Sequence, residues 1–327
     1  MTSVSYFIVK VIILKSKPVK KFLKFLQRLS VLLSRKFMEM TIVFSEFTRT
    51  EFELRHYVNL FYDNYYMRRD YSPLISKILN GKLIHLDVGS RKGPLNIVRK
   101  YSNFMDIIMV EPEREEANDQ RKKGFAVIEK PLSKRSGEVT FLETRFPACS
   151  SIYAPQGPYL DFINPDPMHL SQYDVVRKTT MECSTISEEL INLKVPELDF
   201  LKIDTQGSEL DILMGLKDYR PLIIELEMQY LPVYHNVPNA YQICQYLFEL
   251  GYIPFSLTTH HTNALCPIEG DGYFMPSWIE PQGIELIRSR EQKYIALMLM
   301  FGQTEILKFV NQKIQLENQR FIKTQVI

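Results

Sequence analysis

Residues 83–94 read Leu-Ile-His-Leu-Asp-Val-Gly-Ser-Arg-Lys-Gly-Pro, and a helical pattern carried by Leu95, Val98 and Arg99 follows at once. The apolar run Leu83 to Val88 predicts a buried strand, and Gly89, Gly93 and Pro94 predict the turn that ends it. This order places glycines beside a helix N-terminus, where free backbone N–H groups face a ligand and the missing side chains let it come close. An ordinary strand-to-helix turn would show the same residues. The second predicted strand, Asp106 to Val110, ends in Glu111, 24 residues after Asp87. An acid at that distance commonly takes the hydroxyls of an adenosine ribose, which favours the nucleotide reading. The spacing Gly-x-x-x-Gly differs from Gly-x-Gly-x-x-Gly, so a pyrophosphate ligand is disfavoured.

The same alternation continues outward. Glu113 to Lys123 predicts a charged surface helix, Ala126 to Ser133 a third strand and Gly137 to Glu143 a short strand. Residues 144–172 hold five prolines among aromatics and predict a long loop over an active site. Regular structure resumes with Val175 to Cys183 and with the strand Leu198 to Asp204. The helix marked by Leu210, Leu213 and Met214 comes next, and then the strand Pro221 to Met228. Beyond these, Asn239 to Leu250 predicts a helix, Ile253 to Leu257 and Gly270 to Met275 two strands, and 283–317 helical segments of mixed charge. The pattern specifies a mostly parallel sheet with helices on both faces and ligands over the carboxyl ends of its strands.

Several runs resemble the FkbM-type methyltransferases: Leu-Asp-Val-Gly-Ser-Arg-Lys-Gly at 86–93, Val-Glu-Pro at 110–112, Pro-Leu-Ser at 131–133 and Asp-Phe-Leu-Lys-Ile-Asp-Thr-Gln-Gly-Ser-Glu-Leu at 199–210. The last is the most specific. The resemblance continues through Gly215 and the Ile-Glu-Leu-Glu run at 224–227 to about Tyr252, roughly half the chain. It implies a Rossmann-like class I methyltransferase fold with helical N- and C-terminal flanks, and S-adenosylmethionine as cofactor. It further implies O-methylation of a sugar or natural-product hydroxyl. The cofactor is expected across Asp87, Gly89, Ser90 and Gly93, with Glu111 on the ribose and Asp204 close by. Asp204, ending a buried strand, is the leading candidate to accept the acceptor's proton, with Glu209 and His235 as weaker ones.

Two departures stand out. Where the family has Asp-x-Gly-Ala-Asn-x-Gly, this chain has Ser90, Arg91 and Lys92; the two cations either meet the cofactor's carboxylate or are solvated. Where the family has Asp-x-Glu-Gly, Gln206 replaces the acid, so chemistry must not depend on a carboxylate at 206. Lys202 and Asp204 share one side of their strand, as a structural ion pair or as part of the site.

The chain has 327 residues, 45% hydrophobic and 24% charged, which fits a globular protein with a substantial core. Its four cysteines are widely spaced and read as reduced thiols. The net charge of +2 hides an asymmetry, since residues 1–38 carry nine basic side chains and no acid. The apolar run Tyr6 to Leu14 is far short of the roughly 20 residues of a membrane span. From Lys20 to Phe37 a basic amphipathic helix is expected, suited to an anionic membrane surface or to packing on its own domain. The expected domains are a basic segment at 1–38, a helical cap with an aromatic patch at 39–80, the methyltransferase domain at 81–278 and a helical segment at 279–327. The expected location is the cytoplasm, with peripheral placement at the inner face of a membrane. A small-molecule or glycan acceptor is expected, and no nucleic acid. No metal site is expected, because adjacent His260 and His261 would point to opposite faces of a strand. The rival readings are a non-catalytic binding or scaffolding protein retaining the fold, and a nucleotide-sugar enzyme that lacks the necessary pyrophosphate loop.

Overall fold

Strand β1 (Leu83–Val88) is buried on both faces, as its unbroken apolar run requires, and it organises the sheet. The computed structural model describes residues 70–89, 93–259 and 267–325. The basic segment, the expected cap up to residue 69, Ser90 with its neighbouring cations, and His260 and His261 lie outside the described residues. On one side β1 pairs in parallel with β2 (Met105–Val110), which pairs with β3 (Ala126–Ile128). On the other side lies β6 (Phe200–Ile203), followed by β7 (Ile223–Gln229), both parallel to β1. The antiparallel strand β9 (Glu269–Pro276) inserts between β7 and β8 (Tyr252–Leu257). The order is therefore β3-β2-β1-β6-β7-β9-β8, a Rossmann-like, mostly parallel sheet of the class I methyltransferase kind. The chain leaves β1 toward β2 and β3 and later resumes on the opposite side at β6. A crevice opens at such a switch point, at the carboxyl ends of β1 and β6.

Two of the expected strands do not join this sheet. β4 (Gly137–Thr144) and β5 (Val175–Cys183) form a separate antiparallel pair. The excursion between them, expected as a loop, contains helices Gly157–Ile163 and Pro167–Leu170. Prolines at the first turns of both helices account for this, since the first helical N–H groups lack partners in any case. Leu160 and Ile163 are buried against Val233, Tyr234 and Ile268, a small core of the excursion's own. β3 ends at Ile128, short of the expected Ser133, and Leu132 instead bridges to Ser184.

The helices Ile186–Asn192, Glu209–Met214 and Ala240–Glu249 cover one face of the sheet, burying Leu190, Leu213 and Leu247 over Leu86, Leu201 and Ile224. The opposite face is covered by Ser72–Ile78 and by the helices from Pro281 onward. The segment after 278 was expected as a flank, yet Tyr71–Ile327 form one compact unit. Residues 294 to 300 are fully buried, because the helix Glu291–Met300 is apolar on nearly every side. Its anchor is Asp199, whose fully buried carboxylate accepts from the Ile84 N–H at 2.8 Å and from Lys293 Nζ at 2.9 Å, with Arg290 at 3.4 Å.

Removing one member of a buried ion cluster leaves the others uncompensated, at a cost of about 3–5 kcal/mol. Asp199→Ala is expected to lower unfolding free energy in urea by that amount; a loss below about 1 kcal/mol would contradict the anchoring role.

Candidate functional site

At the switch point lies a cleft of about 430 Å³. Its walls include Asp87, Gly89, Gly93, Glu111 and Asp204, so the structure brings together five of the residues singled out from sequence. Gly89 has φ +80°, and a Cβ there would lie 1.8 Å from the Asp204 carbonyl oxygen. The two strand ends approach so closely that only glycine fits. The Gly89 N–H donates to Val110 O at 3.2 Å and the Asp204 N–H to Val88 O at 3.0 Å, so β1, β2 and β6 end at one level.

Glu111 is buried at the end of β2. Its Oε1 accepts from the Glu113 N–H at 2.9 Å, which fixes the side chain against the turn. Asp87 is fully buried on the floor of the cleft, and neither carboxylate oxygen receives a hydrogen bond. Its charge is met by Lys202 Nζ at 3.6 Å, with His85 Nε2 at 3.7 Å. Lys202 also donates to Asp204 Oδ2 at 3.1 Å. Burial alone would favour the neutral amine, but Asp204 and Asp87 outweigh it and hold Lys202 charged. The two sequence readings of the Lys202–Asp204 pair merge, since the ion pair is structural and lines the cleft.

The structure places Glu209 and His235 outside the residues that line this cleft. Glu209 is buried, and its Oε1 accepts from the N–H groups of Thr205 at 2.8 Å and Gly207 at 3.1 Å and from the Thr205 hydroxyl at 3.0 Å. It ties the turn after β6 together and is not part of the cleft wall. Burial pushes its carboxyl up, and these backbone donors partly restore it. His235 is exposed and also outside the wall; its backbone N–H donates to Ala154 O at 2.8 Å.

The wall includes two further residues, Gln206 and Glu227. Gln206 adopts φ +58°, the left-handed region, which its turn requires. Its amide Nε2 donates to Glu227 Oε2 and lies 3.5 Å from Asp204 Oδ1, while Oε1 is 3.1 Å from the Tyr234 hydroxyl. The Ser151 hydroxyl donates to its backbone carbonyl at 2.8 Å, joining the excursion to the turn. Glu227 went unremarked in the sequence, although two acids spaced by two in an otherwise apolar strand, Glu225 and Glu227, are a readable signal.

Among the described residues no cluster of three or more His, Cys, Asp or Glu side chains is arranged to hold a metal ion, and no helix is long and apolar enough to cross a membrane. Residues 87–254 match the model of the methyltransferase FkbM domain. No curated protein matches the chain. Solved structures similar to it include magnesium protoporphyrin IX methyltransferase from Synechocystis PCC 6803 with bound SAM, at 10% identity and a TM-score of 0.34, covering 63% of this chain and 77% of that one. Precorrin-6y C5,15-methyltransferase from Geobacter metallireducens GS-15 is 14% identical with a TM-score of 0.32, covering 63% and 86%. Likeness this loose carries no weight beside the sequence match.

Register sets Asp87, Lys202, Glu225 and Tyr273 in one row across the sheet. Burial pushes the Glu225 carboxyl up to about 8 despite Lys202, with Asp271 adding to the rise. The unfolded chain loses this proton near 4.5 and the folded chain retains it to about 8, so stability falls as pH rises through that window. Glu225→Gln, which keeps an acceptor for the Tyr273 hydroxyl, is expected to remove that part of the fall, an effect of a few kcal/mol in order of magnitude. Unfolding free energies from pH 5 to 9 that run parallel in variant and wild type would contradict it.

Proposed function

We propose, from the premise that this chain belongs to the FkbM methyltransferase family, that it transfers a methyl group to a hydroxyl of a sugar or natural product. Its cofactor is S-adenosylmethionine. The residues present fit that group: Asp87 presents a buried carboxylate without hydrogen-bond donors at the floor of the cleft, and Glu111 stands fixed at the end of β2. Asp87, Gly89 and Gly93 would hold its methionine part and Glu111 its ribose hydroxyls, between apolar walls that include Leu95, Val110 and Leu132. When bound it supplies a methyl group on a sulfonium, which leaves as a neutral thioether.

The chain's own contribution is placement and charge. Holding two reactants at near-attack distance is worth up to about 7–11 kcal/mol, more than any single proton transfer supplies. One observation supports a hydroxyl acceptor. Among the described residues of the wall the only cation is Lys202, and Asp87 and Asp204 neutralise it. Around it the wall adds hydroxyls and an amide, with Asp204 and Glu227 as carboxyls that suit a hydrogen-bond donor and disfavour an anion. The protein should therefore label neutral, hydroxyl-bearing compounds. The test is incubation with [methyl-14C]S-adenosylmethionine and a small-molecule and glycan extract of cells lacking the protein, where unmethylated acceptor remains. Tight binding of S-adenosylhomocysteine without labelling of any compound would favour a scaffold that retains the fold.

Glu111→Ala removes charge-assisted hydrogen bonds of about 1.5–3 kcal/mol, so calorimetry should show S-adenosylhomocysteine affinity falling roughly tenfold or more. Unchanged affinity in the folded variant would remove Glu111 from the site. We further propose that the nine basic side chains of residues 1–38 serve placement on an anionic membrane. Deleting them should preserve labelling and reduce sedimentation with phosphatidylserine vesicles at low salt; equal sedimentation would refute membrane placement.

A further inference from the structure

The acid absent at position 206 is replaced in space by one from the neighbouring strand. Glu227 lines the same cleft and receives the Gln206 amide, and that amide also faces Asp204. The two carboxyls flank the same Gln206 amide, yet their surroundings differ. Asp204 is held by Lys202 at 3.1 Å. No ion pair between Glu227 and a cation is present among the described residues. We propose that Glu227 is a catalytic residue of this site, the base that takes the proton of the acceptor hydroxyl, and that Asp204 and Gln206 are positioning residues that hold it there.

This inference rests on the proposed methyl transfer to a hydroxyl. In that step the acceptor oxygen forms its bond to the methyl carbon, the electron pair of the S–C bond stays on sulfur, and the O–H proton passes to the Glu227 carboxylate. Charge balances, since a sulfonium and a carboxylate become a thioether and a carboxylic acid.

The groups packed around Glu227 explain why it, and not Asp204, suits the role. Asp204 and Gln206 face it from the end of β6 and the following turn, Glu209 from the next helix, Glu269 and Asp271 from β9, and Tyr234 from the segment after β7. Cys149 and Tyr173 approach from the excursion. Burial, then Asp204, Glu269 and Glu209, raise the Glu227 carboxyl well above the ordinary range. A base that holds its proton more strongly drives proton transfer harder, provided it is ionised before the step. Asp204 differs in geometry, since its Oδ2 is already engaged by the Lys202 ammonium at 3.1 Å.

The test compares wild type with Glu227→Gln and Asp204→Asn by carbon-13 NMR of labelled carboxyls, each protein saturated with S-adenosylhomocysteine, and separately, without that ligand, by radiolabelling of the same cell extract. Glu227→Gln should bind S-adenosylhomocysteine within about threefold of wild type and lose about a hundredfold or more in labelling rate. The wild-type rate should rise with pH alongside a carboxyl that titrates above the ordinary range, and that resonance should vanish in Glu227→Gln. In Asp204→Asn it should move down, since a like charge is gone. A folded Glu227→Gln that labels at the wild-type rate, or a high-titrating carboxyl that survives the substitution, overturns the assignment and leaves methyl transfer standing. Failure of the wild-type protein to label any compound overturns both.

Discussion

The approach of Gly89 to the carbonyl of Asp204 is the constraint on which the site depends. With 1.8 Å between a would-be Cβ and that oxygen, the chain can leave β1 and β6 side by side only if residue 89 has no side chain and a positive φ. The consequence is functional as well as steric. The residues proposed to hold the cofactor and the turn proposed to face the acceptor follow adjacent strand ends, those of β1 and β6. Glu209 finishes this arrangement from below, gathering the N–H groups of Thr205 and Gly207 onto one buried oxygen.

Charge is arranged in rows that follow the register. Asp87, Lys202 and Glu225 lie in line across β1, β6 and β7, and the next step along the strands brings Asp204 beside Glu227. Lys202 serves the carboxylates on both levels, which fixes the sign of the floor beneath the cleft. Burial can outweigh that lysine, and it pushes the Glu225 carboxyl up although Lys202 is its neighbour in the row.

Much of this was legible in the sequence, for identifiable reasons. Strands β1, β2, β6 and β7 are buried on both faces, so their apolar runs are continuous and their ends are marked by Gly89, Glu111 and Asp204. The order of strand, glycine and distal acid located the cleft before any coordinates. Proline density at 144–172 predicts a loop, yet Pro158 and Pro167 open helices there, since proline starts helices as readily as it interrupts them. β4 and β5 have strand periodicity, but nothing local says which sheet a strand will join. Glu209 and His235 were named for their chemistry alone; distance along the chain could not show that one faces inward to the turn and the other outward to solvent. Glu227 was passed over because its strand reads as buried, where an acid is easily taken for a structural residue.

The central claim is that S-adenosylmethionine binds over the carboxyl ends of β1, β2 and β6. The most direct test is a crystal structure of the protein with S-adenosylhomocysteine. The account predicts the ribose hydroxyls on Glu111, the amino-acid part against Gly89 and above Asp87, and the sulfur turned toward Asp204 and Glu227. A ligand bound elsewhere on the protein, or one placed in the cleft with its sulfur facing away from Asp204 and Glu227, would contradict it.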